Sequence, residues 1–517
     1  MSEKLQKAVS HTIQAGYQLD SEAFLFLETL SKTEDPVALM EKLTMKVNEA
    51  EQKPLFISRN LIEEFMTQAA KGPTAKAEQL PSEPQPIPIF ESRKEAFKPY
   101  AKEIDADIEV LEDPTSADMA TLGSIEEYHE YFLDRFRRLQ RFLRQRMDAK
   151  DATSITEALK APLNAKVKVI GIVTEKRESK QRTFLRLEDT ESTVTVMIYQ
   201  NLESSVHERV QALLLDQVVC ISAIKSRNDL LILEDVLFPE IPQRAPNKAS
   251  EPVYAALISD LHVGSKLFMR AEFNRFLLWL NGKLGDSDWR EIAGRVKYVV
   301  IAGDIVDGIG IYPKQTKELA IKDIHRQYAA ASRYLEQIPD YIKLIIIPGN
   351  HDASRKALPQ PALPKDYAEP VYEVREVHSL GNPCSISLHG VELLLYHGRS
   401  LDDVIANMPN ASFDKPEEAM KILLRGRHLA PIYGQRTPIA PSKRDFLVVE
   451  RVPDIFHAGH VHVQGHDRYR GVLIVNSGAW QKQTEYMSRL GLKPTPGIIP
   501  AVNLQTMQVT TLNFREA

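Results

Sequence analysis

Six short apolar runs, "VYAALIS", "KYVVIAG", "KLIIIPG", "VELLLYH", "DIFHAG" and "GVLIVNS", recur after Pro252. Each is short for a helix and too apolar for a strand with one wet face, so each reads as a strand covered on both sides. Amphipathic helices alternate with the early ones: in "EFNRFLLWL", Phe273, Phe276, Leu277 and Leu280 share a face. Doubly covered strands separated by such helices constrain residues 246–517 to an α/β domain. In open sheets of this kind, chemistry collects where the strands end.

The chain of 517 residues is too long for one core, and about two to four domains are expected. Residues 1–70 read as a helical module. In it, "DSEAFLFLETL" offers Asp20 or Ser21 as an N-cap, and "NLIEEFMTQAA" continues the pattern. Residues 71–93 read as a proline-rich flexible linker around "GPTAKAEQLPSEPQPIP". Residues 94–155 read as a helical connector. Its main helix opens on a capping box, Ser124 with Glu127, and carries Tyr128, Phe132, Phe136, Leu139 and Leu143 on one face. The other face holds Arg135, Arg138, Arg141 and Arg146, which we take as a solvated surface of a packed helix in preference to a DNA contact. Over 156–245 the period changes to two in "KVKVIGIVTEKR", "TFLRLEDTESTVTVMIY", "QVVCISAIKS" and "LLILEDVLF", with "LESSVHERVQALL" as an inserted helix. Five or so short strands with one helix suggest an OB-type barrel. Its candidate stacking aromatics are few, chiefly Phe184 and Tyr199.

Apolar content of 43% with 26% charged residues marks a globular chain, and a net charge of -5 gives no global basic field for nucleic acid. Two distant cysteines, Cys220 and Cys384, exclude a disulfide framework or a thiolate metal cluster. The N-terminus has no apolar signal core, and nowhere do 18 uncharged apolar residues run together. A cytoplasmic protein without a membrane segment is expected.

The polar residues at the strand ends are Asp260 and His262 in "ISDLHVG", Asp304 in "IAGDIVDG", Asn350 and His351 in "PGNHD", His397 in "LLYHGRS", and His460 with His462 in "HAGHVHVQG". Alone, each has a structural explanation as a cap or a hydrogen-bonded core residue. Together they are a set of carboxylate, amide and imidazole donors, which suits manganese, iron, zinc or nickel better than magnesium or calcium alone. Asp260/His262 and His460/His462 are i, i+2 pairs, able on an extended chain to aim at one point. Gly303, Gly349, Gly398 and Gly459 stand beside them. A two-metal site is the economical reading.

The ordered blocks Asp-x-His, Gly-Asp-x-x-Asp, Gly-Asn-His-Asp, His-Gly and Gly-His-x-His, intact between residues 260 and 462, resemble the signature of calcineurin-like metallophosphoesterases. The resemblance implies a sandwich of two β-sheets flanked by helices. It also implies two divalent metal ions, manganese first, with iron, zinc, nickel or magnesium left open. Carried onto matching positions, it gives one ion to Asp260, His262, Asp304 and His462 and the second to Asn350, His397 and His460, with Asp304 bridging. With the preceding barrel, "HGRSLDDVIANMP", "RGRHLAPIYG", "PIAPSKRDFLVVERVPDIFHAGHVH" and "VNSGAWQKQTEYM", the whole chain resembles the small subunits of archaeal family D DNA polymerases, relatives of the accessory subunits of eukaryotic replicative polymerases. Those eukaryotic relatives have lost ligands that are retained here. The resemblance implies a 3'-5' proofreading exonuclease working with a separate large polymerase subunit and acting on a DNA primer end; a sliding clamp is left open as a further partner.

His351, next to Asn350, is then the expected general acid or transition-state stabiliser, and Asp304 a catalytic ligand. Asp352 and Asp307 are expected to support the loops, and His457 and His466 to be structural. Arg399, Ser400, Arg425, Arg427 and His428 fit either a DNA path or a packing segment. A phosphoesterase for another substrate and a scaffold subunit remain the alternatives.

Overall fold

A computed structural model describes residues 97–516 apart from 117, 118, 180, 181, 200, 228, 410 and 490. In the N-terminal region it describes 3–15, 17–19, 21–30, 35–48, 56–59, 61, 62, 65 and 66. The chain divides into two compact units, Met1–Lys94 and Glu95–Ala517. The proline-rich stretch 72–88, and most of "NLIEEFMTQAA", lie outside the described residues.

In the first unit, α1 (Glu3–Gln14), α2 (Ser21–Leu30) and α3 (Pro36–Asn48) enclose a core of Leu5, Ala8, Leu27, Met40 and Leu43. Between and after them, β1 (Gln18–Leu19) and β2 (Phe56–Ile57) pair in parallel. The apolar spacing that gives each helix one buried stripe accounts for this small core.

The second unit begins with β3 (Ile108–Glu112), a strand inside the segment read as a helical connector, followed by α4 (Ile125–Gln145). The capping box is formed: Glu127 N donates to Ser124 Oγ at 3.2 Å, and Ser124 N donates to the Glu127 carboxylate at 2.9 Å. Phe136, Leu139, Phe142 and Leu143 pack on Ile170, Val218 and Cys220 of the barrel that follows. The arginine face differs from its expected solvation. Arg135 is fully buried with Nε 2.8 Å from Asp445 Oδ2, and Arg138 donates to Asp445 O at 2.7 Å, while Arg141 stays exposed. The helix is covered on a second side by the 428–450 segment, and buried guanidinium is tolerated there because it is paired and hydrogen-bonded.

The barrel comprises α5 (Ile155–Lys160), β4 (Lys166–Ser179), β5 (Arg182–Glu188), β6 (Thr193–Tyr199), α6 (Ser204–Gln211), β7 (Val218–Lys225) and β8 (Leu230–Leu237). Its five strands close in the order β4-β5-β6-β8-β7, and a parallel β6/β8 pairing completes the ring. Alternate residues such as Val169, Leu185, Leu187, Val196, Ile221 and Leu231 fill it, as the period of two requires.

Next come β9 (Tyr254–Ile258), α7 (Arg270–Leu280), α8 (Ser287–Arg295), β10 (Val296–Ala302), α9 (Ile324–Leu335), β11 (Lys343–Ile347) and β12 (Val377–Ser379). They are followed by β13 (Cys384–Leu388), β14 (Val391–Leu395), β15 (Ile455–Ala458), β16 (Gly465–Tyr469), β17 (Val472–Asn476), β18 (Ile498–Asn503) and β19 (Val509–Asn513). Two six-stranded mixed sheets result, β12-β11-β10-β9-β18-β19 and β16-β17-β15-β14-β13-β3. Alternation within the apolar runs explains their stacking. Leu257, Tyr298, Val300, Ile345 and Ile347 meet Ile386, Leu393, Leu395 and Val475 between the sheets. Ile258, Val299, Ile301, Leu344 and Ile346 face Phe273, Phe276 and Trp279 of α7 and Tyr328 of α9. On the far side, Leu394, Phe456 and Ile474 meet Leu423 and Leu424 of the helix Pro416–Gly426. The chain is thus a mixed α/β protein with a closed five-stranded barrel and two packed sheets between helices.

Candidate metal centre

The site forms just past the ends of β9, β10, β11, β14 and β15, five of the strands that pair in parallel within the two sheets. All eight residues singled out in the sequence meet there. Asp260, His262, Asp304, Asn350, His397 and His462 are buried, and His351 and His460 are half-buried.

Convergence comes from turns rather than from strand alternation. Asp260, His262, Asp304, His460 and His462 all have positive φ, at 52°, 53°, 55°, 70° and 63°. Left-handed geometry costs a non-glycine residue on the order of 1 kcal/mol or more, so neighbouring contacts must hold it. Asp260 N donates to Gly303 O at 2.9 Å and His262 N to Asp304 O at 3.0 Å, lacing the two loops together. Asp352 braces the third loop: its carboxylate accepts from Asp304 N and Gly349 N, both at 2.8 Å, and from Tyr328 Oη at 3.2 Å. Gly349 is obligatory, because a Cβ there would lie 2.1 Å from Asp304 Oδ1.

Hydrogen bonds to groups that only accept fix the tautomers of three rings. His262 Nδ1 donates to Asp307 Oδ1 at 3.0 Å, and that carboxylate also accepts from Gln481 Nε2 at 2.9 Å. His397 Nδ1 donates to Ala302 O at 2.8 Å, and His351 Nδ1 donates to Asp307 O at 2.7 Å. Their Nε2 atoms are therefore the ones turned inward, the arrangement that orients imidazole towards a metal. His397 Nε2 faces two acceptors, Asn350 Oδ1 at 3.0 Å and Asp304 Oδ2 at 3.4 Å. His262 Nε2 lies 3.0 Å from His462 Nε2, and His462 Nε2 lies 3.3 Å from Asp260 Oδ1, a buried oxygen without a hydrogen-bond partner. Donor atoms about 2.1 Å from a shared first-row ion stand about 3.0–3.4 Å apart, so these separations fit a cation between them. Asp304 Oδ2 also approaches His262 Nε2, at 3.8 Å, and so faces both histidine groups.

The electrostatics point the same way. Four carboxylates, Asp260, Asp304, Asp307 and Asp352, are buried together and call for positive charge. Burial disfavours charge on His262, but Asp260, Asp307 and Asp304 outweigh it and raise the imidazole to about 10. His397 is likewise raised to about 9, against burial, by Asp304 and Asp260. Burial works to raise Asp304, yet His397 and His351 hold its carboxyl well below the usual range. His351 goes the other way. Burial pushes it down to about 4 despite Asp304, so its ring is neutral near pH 7.

A cleft of about 450 Å³ opens over these groups. Besides the predicted residues it brings in Asp402, 3.4 Å from His460 Nε2, and Tyr312, Tyr486 and Arg436, and it is also lined by Arg399, one of the residues with two readings. Asp402 lies within "HGRSLDDVIANMP", but nothing in the spacing separates it from Asp403, which instead caps the 436–437 turn. Of the residues with two readings, Ser400, Arg427 and His428 are packing groups. Arg427 lies over the Phe142 ring at 3.7 Å, and Ser400 accepts from and donates within the fold. Arg425 covers Phe238. His457 is buried on Ser477 Oγ at 3.0 Å, and His466 is exposed on β16.

Similarity to known proteins places the chain. The family model for the B subunits of DNA polymerases alpha and epsilon matches residues 255–465. The DNA polymerase II small subunit of Methanocaldococcus jannaschii is 39% identical over 80% of this chain and 70% of that protein. The corresponding protein of Archaeoglobus fulgidus is 42% identical over 76% of this chain and 78% of its own length. That of Methanothermobacter thermautotrophicus is 36% identical over 93% and 95%. The chain belongs to the archaeal DNA polymerase II (family D) small-subunit family. The eight candidate residues of this family member all fall inside the stretch matched by the family model, with His462 three residues from its end.

Proposed function

We propose that the chain is the nuclease component of a heteromeric archaeal replicative DNA polymerase, hydrolysing phosphodiesters from the 3' end alongside a large polymerising subunit. In this reading the barrel is an OB fold, and the two packed sheets with their helices are a calcineurin-like phosphoesterase domain. The proposed divisions are residues 1–70, 71–93, 94–155, 156–245 and 246–517. A DNA primer end and a sliding clamp are the remaining proposed partners.

The observation that carries the proposal is a buried donor set whose two histidine groups converge on the Asp304 carboxylate. His397 Nε2 faces only acceptors, and Asp260 Oδ1 is buried with no hydrogen-bond partner, 3.3 Å from His462 Nε2. Asp260, His262, Asp304 and His462 would hold one divalent ion, and Asn350, His397, His460 and Asp304 a second. Manganese is the first candidate and iron, zinc, nickel or magnesium the alternatives. Such a pair, when bound, lowers the pKa of water and offsets charge on the reacting phosphate.

The chain's own residues do the rest. Asp307 and Ala302 O aim His262 and His397 through their Nδ1 protons. Asp352 keeps the Asp304 and Gly349 amides in place, which fixes the Asn350 and His351 side chains over the cleft. His351 Nε2 is the proton carrier for the departing 3' oxygen. Its ring is neutral in the free protein, so it takes up that proton as an anionic phosphate enters, since negative charge beside an imidazole favours its charged form.

The test offers the purified chain, in manganese, 3'-labelled single-stranded DNA, a mismatched primer end and p-nitrophenyl phosphate. Mononucleotide release from the DNA ends supports the proposal. Preference for the small ester points to a phosphoesterase for another substrate, and silence towards all three to a scaffold role.

A further inference from the structure

The cleft over the donor groups is chemically asymmetric. Next to His351 stands Tyr312, with ring centroids 6.2 Å apart, and Tyr486 stacks on Tyr312 at 5.6 Å with the planes 25° apart. The Tyr312 hydroxyl donates to Glu318 at 2.6 Å, so the inner ring is pinned, while Tyr486 leaves 47% of its surface in solvent. At the other end, Asp402 approaches His460, and Arg399 and Arg436 stand beside it. Arg399 Nη2 reaches Arg436 O at 3.5 Å. One wall thus offers flat rings and the other guanidinium groups.

Stacked aromatic rings at the mouth of a cleft take a planar base, because every base has a π-face and rigid rings lose little entropy on stacking. Guanidinium groups take phosphate and sugar. The side of the cleft decides which nucleotide lies where. If His351 serves the departing 3' oxygen, as proposed above, the nucleotide bearing that oxygen lies at the His351 end, against the tyrosines. The nucleotide cut off lies towards Arg399 and Arg436.

We propose that Tyr312 and Tyr486 form a stacking subsite for the base of the penultimate nucleotide, so that the enzyme acts on ends with at least two unpaired nucleotides. A base paired in a duplex already has both faces stacked and cannot enter. The subsite would therefore select frayed or mismatched ends over paired ones by an affinity that the tyrosines supply. This rests on the nuclease reading of the same centre.

The test uses the full chain and short single strands that are fully base-bearing, abasic at the penultimate position, or abasic at the terminal position. In manganese, removing the penultimate base is expected to raise KM by roughly tenfold, with a much smaller effect at the terminal position. Tyr486→Ala should abolish that dependence on the penultimate base, and Tyr486→Phe should keep it. A wild-type enzyme indifferent to the penultimate base, a dependence that survives Tyr486→Ala, or sensitivity only at the terminal position would each overturn the subsite. Binding of the same strands in calcium, followed by fluorescence anisotropy, separates this from the nuclease reading. Penultimate-base dependence of Kd without any cleavage in manganese leaves the subsite standing and removes the nuclease. Equal Kd values for all three strands remove the subsite whatever the cleavage shows.

Discussion

At the scale of single residues, the centre depends on close approaches that leave no room for substitution. Gly349→Ala places a Cβ against the Asp304 carboxylate, and overpacking of this kind costs about 1–3 kcal/mol. The expected outcome is a folded protein with less bound metal by elemental analysis, and an unchanged metal content would show that the loop yields more easily than its hydrogen bonds imply. Asp304→Ala removes the one oxygen that faces both histidine groups, at 3.4 and 3.8 Å. It should leave fewer than two ions per chain, and two retained ions would contradict bridging by Asp304. His351 Nε2 stands 4.0 Å from Asp304 Oδ2, outside the close pairs of donor atoms. His351→Ala should therefore keep both ions and lose activity by about a hundredfold or more, the range of acid-base groups. Turnover at the wild-type level in that variant would remove the proton-carrier role. These residues are legible in the sequence because each stands in a short block with a strand before it. Asp402, Gln481, Tyr312 and Tyr486 are not, since an acid, an amide or a tyrosine in a loop has many ordinary uses and only the fold shows which of them reach the centre.

Elements show a different balance. Apolar runs reveal strands with two covered faces, and β9, β10, β11, β14, β15 and β17 follow from them. Strands β3, β12 and β18 carry weaker patterns: β3 is a half-exposed edge, β12 has three residues, and β18 contains Pro500. The arginine face of α4 reads as solvated for a related reason. Its partner Asp445 lies about three hundred positions away in sequence, and no local pattern announces that pairing. Arg135, Tyr131 and His428 all meet the Asp445 carboxylate, at 2.8 Å each.

The cluster's pH dependence has a definite sign. Burial and the neighbouring Arg135 push His428 down to about 4, so the folded protein resists a proton that the unfolded chain accepts below about pH 6.5. Burial would raise Asp445, but His428 and Arg135 hold it below the usual carboxylate range, and its contribution is lost only at still lower pH. Stability should therefore fall as pH drops from about 6.5 towards 4. His428→Gln is expected to flatten the fall in Tm over that window, and an equal slope in variant and wild type would assign the acid sensitivity elsewhere.

For the whole molecule, the pieces are consistent with one task. The sheets hold the donor loops at one edge, α4 fastens the barrel to that body, and the cleft stays open between an aromatic and a cationic wall. Fold class follows from the apolar runs, and the barrel from a change of period to two. How the barrel closes does not, because the β6/β8 pairing is parallel and spans an intervening helix and strand. If this assembly cuts DNA from its 3' end, as proposed, the most direct measurement is the product pattern of the manganese-loaded full chain on a 5'-labelled single strand. The expected result is a ladder shortening one nucleotide at a time from the 3' end, lost in His351→Ala while metal content is retained. A strand left intact, or cut internally without end-directed shortening, would contradict it.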